Sequence, residues 1–417
     1  MKQRRRILIV VTRSPPRGPR FASSEPLGLP VHDVVVMAAQ LLHLGAEVRV
    51  LDQGLEHLSD RVARREARLW RADLVLLHAG GSAVADDPVP DAGPLEQLVS
   101  GWPPRAPLLA MGPLAARYAE ELLECIPGLA GVLRAGIHPA LVGDFEPERV
   151  PGLLYRRAGS VQAEVPAPDA ARDAPNGAPN GLPDVLPAWH ALPLDACGAR
   201  APGGLRAAGV LCRGVDVEAA LAQVRHAVRR AGARRIAFLD RDLARDRDFV
   251  EELARSMFAA APGVGWTCRV RADRLDPMIA LALANGGCTE VLVTSPAPRD
   301  APALLPMDDP GRPRIESAVE ACRVTGMPVA VEHVIGRPDS SRDSLSAWQR
   351  WFTDRHMLVH AHVRVLHAGD KGPRSPTLQE AAERAGCWDN PLRPRDVERA
   401  VRGVSEHSRL AAQTALA

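Results

Sequence analysis

The chain of 417 residues balances 52 Lys and Arg against 50 Asp and Glu, a formal net charge of +2, and is 46% hydrophobic. That length suits two domains of a globular protein, and the even charge gives no reason to expect a nucleic-acid or membrane partner. No segment approaches a membrane span, and the apolar run Ile7–Val11 behind Arg4–Arg6 is too short for a signal peptide, which leads us to expect a cytoplasmic protein.

In chain order, Ile7–Val11 reads as a buried strand and Val34–Leu44 as a helix ending before Gly45. Short apolar runs follow at Glu47–Leu51, Asp73–Leu77, Pro107–Ala110 and Gly131–Leu133. Helical stretches at Asp60–Arg71 and Ala115–Glu124 lie between them. Apolar strands alternating with helices predict a parallel sheet covered on both faces, here a flavodoxin- or Rossmann-like domain over residues 1–150 with its ligands at the carboxyl ends of the strands. Leu153–Val165 can form a hairpin around Ala158-Gly159. Residues 166–204 are rich in Pro, Ala, Gly and Asn, with Ala-Pro-Asn-Gly repeated at 174–177 and 178–181, so residues 151–204 read as a hairpin and linker.

From Leu205 the alternation resumes, with strands at Ala207–Cys212, Arg235–Leu239, Thr267–Val270, Glu290–Thr294, Val329–Ile335 and Met357–Leu366. Helices at Val217–Arg230, Phe249–Phe258, Pro277–Ala284, Ile315–Val324 and Leu345–Phe352 fill the gaps. Six βα units in series predict an open, partial (β/α)6 barrel over 205–367. A short helical tail over 368–417 follows. One of its helices has Ser375 as cap, Pro376 in the first turn and Gly386 beyond the end; the other begins near Pro394.

Seven cysteines stand at 125, 197, 212, 268, 288, 322 and 387, widely spaced and with no CxxC, which supports neither a disulfide framework nor a metal centre. No GxxxxGK[ST], GxGxxG or GxSxG is present, so nucleotide-loop and serine-hydrolase readings find no support. Five of the 13 histidines, His333, His356, His360, His362 and His367, fall within 35 residues. His360-Ala-His362 on a strand would put both histidines on one face, as a metal site requires, with Glu332 on the face opposite His333. Histidines scattered over neighbouring strands are the plainer reading, and no metal is expected from it.

Several segments, in order, carry a resemblance. They are Ser14–Pro19, Pro26–Leu29 followed by Ala38–Asp52, Pro151–Gly159 and then Leu182–His190. In the second half they are Phe238–Asp242, Trp266–Asp276 and Val334–Pro338. Together they resemble the cobalamin-dependent radical SAM enzymes, which implies an N-terminal B12-binding domain and a radical SAM-like partial barrel. Cobalamin would then lie among the strand-end loops that carry Pro16, Gly18, His78, Gly80, Gly81, Ser82, Gly112, Gly136 and His138. Glycines there let backbone approach a bulky ring. His78 or His138 as a cobalt ligand and either one as a capping or surface histidine are both open, and the DxHxxG motif of other B12 domains is absent.

The sequence departs from the family at its chemistry. The CxxxCxxC loop that holds three irons of the cluster is missing. The strand Gly209–Gly214 runs into the next helix near Val215 and keeps only Cys212, followed by Arg213 and Gly214. Asp240 and Asp242 remain at the next strand end, and no carboxylate is evident in Thr294–Pro298. We therefore expect no iron–sulfur cluster, doubtful SAM binding and, as the implied role, a cobalamin-binding pseudoenzyme. It would act as accessory subunit to an intact radical SAM homologue or in non-radical cobalamin-dependent methyl transfer. A scaffold without cofactor and a metal-dependent enzyme built on the histidine-rich strand are the alternatives.

Overall fold

The computed structural model describes residues 4–12, 32–54, 56–79, 92–102, 105–134, 136–143, 145–157, 160–162, 186–191, 207–212, 215–240, 242–294, 311–335, 341–354, 360–365, 395, 396 and 399. The first sheet contains β1 (Arg6–Val11), β2 (Glu47–Asp52), β3 (Leu74–His78), β4 (Leu108–Met111), β5 (Gly131–Leu133), β6 (Leu153–Arg157) and β7 (Ser160–Gln162). Their order is β2-β1-β3-β4-β5-β6-β7. The first five are parallel and follow the flavodoxin order, while β6 and β7 add an antiparallel hairpin at the β5 edge.

Both faces of this sheet are buried, which is why its strands are continuous apolar runs. Ile7, Ile9, Leu74 and Leu76 meet Val34, Val35, Ala38 and Leu41 of α1 (His32–His43) on one face. Leu8, Val10, Val75 and Leu77 meet α2 (Asp60–Trp70), α3 (Gly93–Ser100), α4 (Pro113–Arg117) and α5 (Ala119–Cys125) on the other. The stretch expected as one helix over Ala115–Glu124 is two. The backbone breaks at Tyr118, with φ −129° and ψ 45°, and its ring is buried in the core at that break. Helix α3 was not expected from the sequence, although Pro94 at its start and Leu95, Leu98 and Val99 on one face are helical signals.

The second sheet contains β8 (Ala207–Val210), β9 (Arg235–Phe238), β10 (Gly265–Arg271), β11 (Cys288–Thr294), β12 (Val329–Ile335) and β13 (His360–Val365), all parallel and in sequential order. Between them run α6 (Val217–Ala231), α7 (Arg247–Ala260), α8 (Pro277–Asn285), α9 (Gly311–Val324) and α10 (Arg342–Asp354). Sequential parallel order with crossovers of one hand places every helix on the same side, leaving an open, partial barrel. Strand β10 reports the two environments directly: Trp266, Cys268 and Val270 are buried against helices and the alternate residues are half-buried. Caps fix the helix starts, with Asp216, Asp246 and Asp276 each accepting backbone N–H groups of the first turn.

The two sheets share one core. It runs from α1 through Trp189, in a 3-10 turn at Trp189–Ala191, to Ala220 and Val224 of α6. Ala188 N donates to Val35 O at 3.1 Å, and a ring nitrogen of His226 stands 2.9 Å from Pro187 O. The tail helices expected after residue 367 lie outside the described residues.

Candidate functional site

In a sheet of order 2-1-3-4-5 the chain turns in opposite directions on leaving β1 and β3, and ligands gather at the crevice outside those two strand ends. His78 ends β3 at that point. Its carbonyl accepts the N–H and the hydroxyl of Thr12, at 3.1 and 3.0 Å, which ties the end of β1 to the end of β3. The imidazole is 0% exposed, and among the described residues neither ring nitrogen has a hydrogen-bond partner. Burial lowers its pKa to about 4, so the ring is neutral near pH 7. An unpaired polar group this deep costs free energy, and a bound group that accepts or donates to it would recover that cost.

The next strand end completes the geometry. Ala79 N donates to Met111 O at 2.8 Å, and Gly112 follows with φ 95° and ψ −172°, a conformation reserved for glycine. A side chain at Gly112 would strike the His78 ring. Val11, Met111 and Leu133, at the ends of β1, β4 and β5, are buried in the core. Gly136 is half-buried at the end of β5. His138 is a helix cap: its Nδ1 accepts the Ala140 N–H at 3.2 Å, and burial lowers its pKa. Pro16, Gly18, Gly80, Gly81 and Ser82 lie outside the described residues. Thr12 was not read as a site residue from the sequence; its place one residue past a buried strand was the available signal.

At the corresponding edge of the second sheet, the backbone N–H of Cys212 donates to Asp240 Oδ2 at 2.7 Å. Cys212 is 6% exposed and belongs to the apolar core. Burial, the Asp240 charge and a hydrogen bond to Asp240 push its thiol pKa far above the ordinary range. Asp242 accepts the Arg271 N–H at 3.3 Å and pairs with Arg274 at 2.9 Å. Its carboxyl pKa is raised by burial, against the pull of the two arginines. Arg213 and Gly214 lie outside the described residues. Cys268, Cys288 and Cys322 are buried thiols, and Cys268 and Cys322 are held protonated. Among the described residues no three His, Cys, Asp or Glu side chains stand where they could hold a metal ion.

The arrangement of the two sheets recurs in solved structures. The chain superposes on the radical S-adenosylmethionine methyltransferase TsrM from Kitasatospora setae with cobalamin and an iron–sulfur cluster bound. The TM-score is 0.61 at 18% identity, over 93% of this chain and 80% of that one. This is the fold of the cobalamin-dependent radical SAM enzymes. TsrM with tryptophan and a SAM analogue gives a TM-score of 0.57 at 16% identity, over 84% and 71% of the two chains. OxsB with aqua-cobalamin and SAM bound gives 0.56 at 11% identity, over 98% of this chain but 61% of that one. No family model and no curated protein matches the chain. At these identities the likeness is one of fold. No helix among the described residues is long and apolar enough to cross a membrane.

Of the residues singled out in the sequence, the structure brings His78 and Gly112 into contact and ties Cys212 to Asp240. His138 caps its own turn, and Asp242 holds the loop at Arg271. His356 and His367 lie outside the described residues.

Proposed function

We propose that the chain binds cobalamin at the carboxyl edge of the first sheet and works without an iron–sulfur cluster. It serves as accessory subunit to an intact radical SAM homologue or in non-radical cobalamin-dependent methyl transfer. The observation that carries this reading is the buried imidazole of His78 at the β1/β3 crevice, with no hydrogen-bond partner among the described residues, beside the glycine-only turn at Gly112. The His78 ring would supply a polar anchor for a ligand there, with Thr12 tying the ends of β1 and β3 together beneath it. Cobalamin, when bound, supplies a cobalt centre that can carry a methyl group. The chain's own residues would orient it and exclude water.

The proposal of a chain without a cluster rests on the sequence at the second sheet's edge. Cys212 is a single thiol, and the sequence brings no second cysteine within the loop after β8, where three thiolates would be needed to hold a cluster. We derive no radical step, and SAM binding has no support from these residues.

The test is retention of the cofactor. The full chain is incubated with hydroxocobalamin, desalted and examined by its visible spectrum. Close to one cobalamin per chain supports the reading, with weaker retention in His78→Ala. A colourless protein after desalting overturns it and leaves a scaffold role.

A further inference from the structure

The turn after β4 leaves a gap one side chain wide. Gly112 is half-buried, and its φ of 95° together with the close approach of its neighbours keeps any side chain out. The point that a β-carbon would take lies 2.8 Å from Nε2 of His78 and 2.8 Å from the carbonyl oxygen of Ala79, with Cδ2 of the same ring at 3.0 Å. Two polar atoms, one at the end of β3 and one on the next residue, therefore border a single gap.

Both are acceptors with room for a donor. Among the described residues the Ala79 oxygen accepts one long bond, from the Leu114 N–H at 3.4 Å, and Nε2 of His78 has no partner. A carbonyl oxygen has two lone pairs, and a neutral imidazole with its proton on Nδ1 keeps one on Nε2. Such a gap suits an atom that carries two hydrogens, as the nitrogen of a primary carboxamide does. It does not suit a metal held by the ring. A metal–imidazole bond is about 2 Å long, so a cobalt on Nε2 would press the plane of its macrocycle against the Gly112 backbone and the Ala79 carbonyl.

The corrin ring of cobalamin carries primary carboxamides around its rim. Resting on the cobalamin reading above, we propose that Nε2 of His78 and the Ala79 carbonyl together accept the NH2 group of one propionamide arm at the Gly112 gap, and that His78 is not a cobalt ligand. A propionamide is assigned rather than the shorter acetamide because the His78 ring is 0% exposed, so the arm has to reach inward. Gly112 provides the opening and His78 selects amide over acid.

The experiment compares hydroxocobalamin with its b-, d- and e-monocarboxylic acids, in each of which a single propionamide is replaced by an acid. Each is equilibrated with the full chain by dialysis at neutral pH, and bound corrinoid is read from its visible absorbance. A carboxylate would set oxygen against two acceptors, so we expect one isomer to bind about tenfold or more weakly than hydroxocobalamin, and that discrimination to vanish in His78→Ala. Equal affinity for all the isomers, or discrimination that persists in His78→Ala, overturns the anchor and leaves the cobalamin reading standing. Failure to retain any of the corrinoids overturns both. Electron paramagnetic resonance of the unaltered chain loaded with cobalt(II) cobalamin, made with ordinary or heavy-nitrogen histidine, gives a second readout should the variant fail to fold. Spectra independent of the label are expected, whereas a label-dependent splitting places a histidine on the cobalt and overturns the assignment.

Discussion

A β-carbon built on Gly112 would stand 2.8 Å from Nε2 of His78 and 2.8 Å from the carbonyl oxygen of Ala79. The turn after β4 is thus shaped around the imidazole that ends β3. Two separate requirements make the position a glycine: the close approach, and a backbone with φ 95° and ψ −172°. Gly112→Ala is expected to cost about 1–3 kcal/mol, read as a lowered melting temperature, and to weaken cobalamin retention. Unchanged melting would show that the turn relaxes freely and that the contact does not shape the crevice.

The buried histidines make stability fall in acid. Unfolded, an imidazole titrates at 6.5; burial lowers both His78 and His32 to about 4 in the folded chain. Between those values the unfolded chain binds a proton that the folded chain does not. Their contribution is complete above about pH 6.5 and is lost as the pH falls toward 4, by up to about 3 kcal/mol for each histidine at 1.36 kcal/mol per unit. Urea unfolding of the native chain and of His78→Met at pH 7.5 and pH 5 checks this. The variant should lose less stability on acidification, and equal losses would contradict it.

Cys212 should behave as a packed, unreactive thiol. Burial and Asp240 hold it protonated, whereas Cys125 is partly exposed. Brief iodoacetamide treatment of the folded chain, followed by peptide mass spectrometry, should modify Cys125 well ahead of Cys212. Cys212→Ala should cost about 1–2 kcal/mol as a small core truncation and leave cobalamin retention unchanged. Equal labelling of the two cysteines would mean that the β8 edge presents an available thiolate.

Trp266 anchors the outer face of the barrel by donating its indole N–H to Gly286 O at 2.8 Å. A β-carbon on Gly286 would lie 2.4 Å from the Ala254 carbonyl oxygen, so α7 and α8 meet there with no room to spare. Gly286→Ala is expected to destabilise the chain by about 3 kcal/mol and to expose Trp266 to quenching. Native-like melting and fluorescence would contradict that packing.

Much of this architecture was legible in the sequence because both sheets are parallel and covered. Continuous apolar runs such as Ile7–Val11 and Leu74–Leu77 have few other uses, and the Asp caps at 216, 246 and 276 mark helix starts. What escaped was set by contacts distant in the chain. The break at Tyr118 is invisible to helical periodicity. The hairpin of β6 and β7 was foreseen, but its pairing with β5 depends on an edge that the sequence does not announce.

The site shows the same division. Glycine and histidine at 112 and 78 could be named as strand-end residues, but their mutual contact required the β3–β4 register. Cys212 was visible as the one cysteine left at the family's position, while the bond that holds its backbone to Asp240 spans 28 residues.

The most direct test of the central claim is a paired assay of cobalamin, iron and sulfide on one anaerobically prepared sample, reconstituted with hydroxocobalamin, ferrous iron and sulfide and then desalted. We predict close to one cobalamin per chain with no stoichiometric iron or sulfide. Iron and sulfide in the ratio of a cluster, with its absorption band lost in Cys212→Ala, would contradict the account and make this chain a cluster-bearing enzyme.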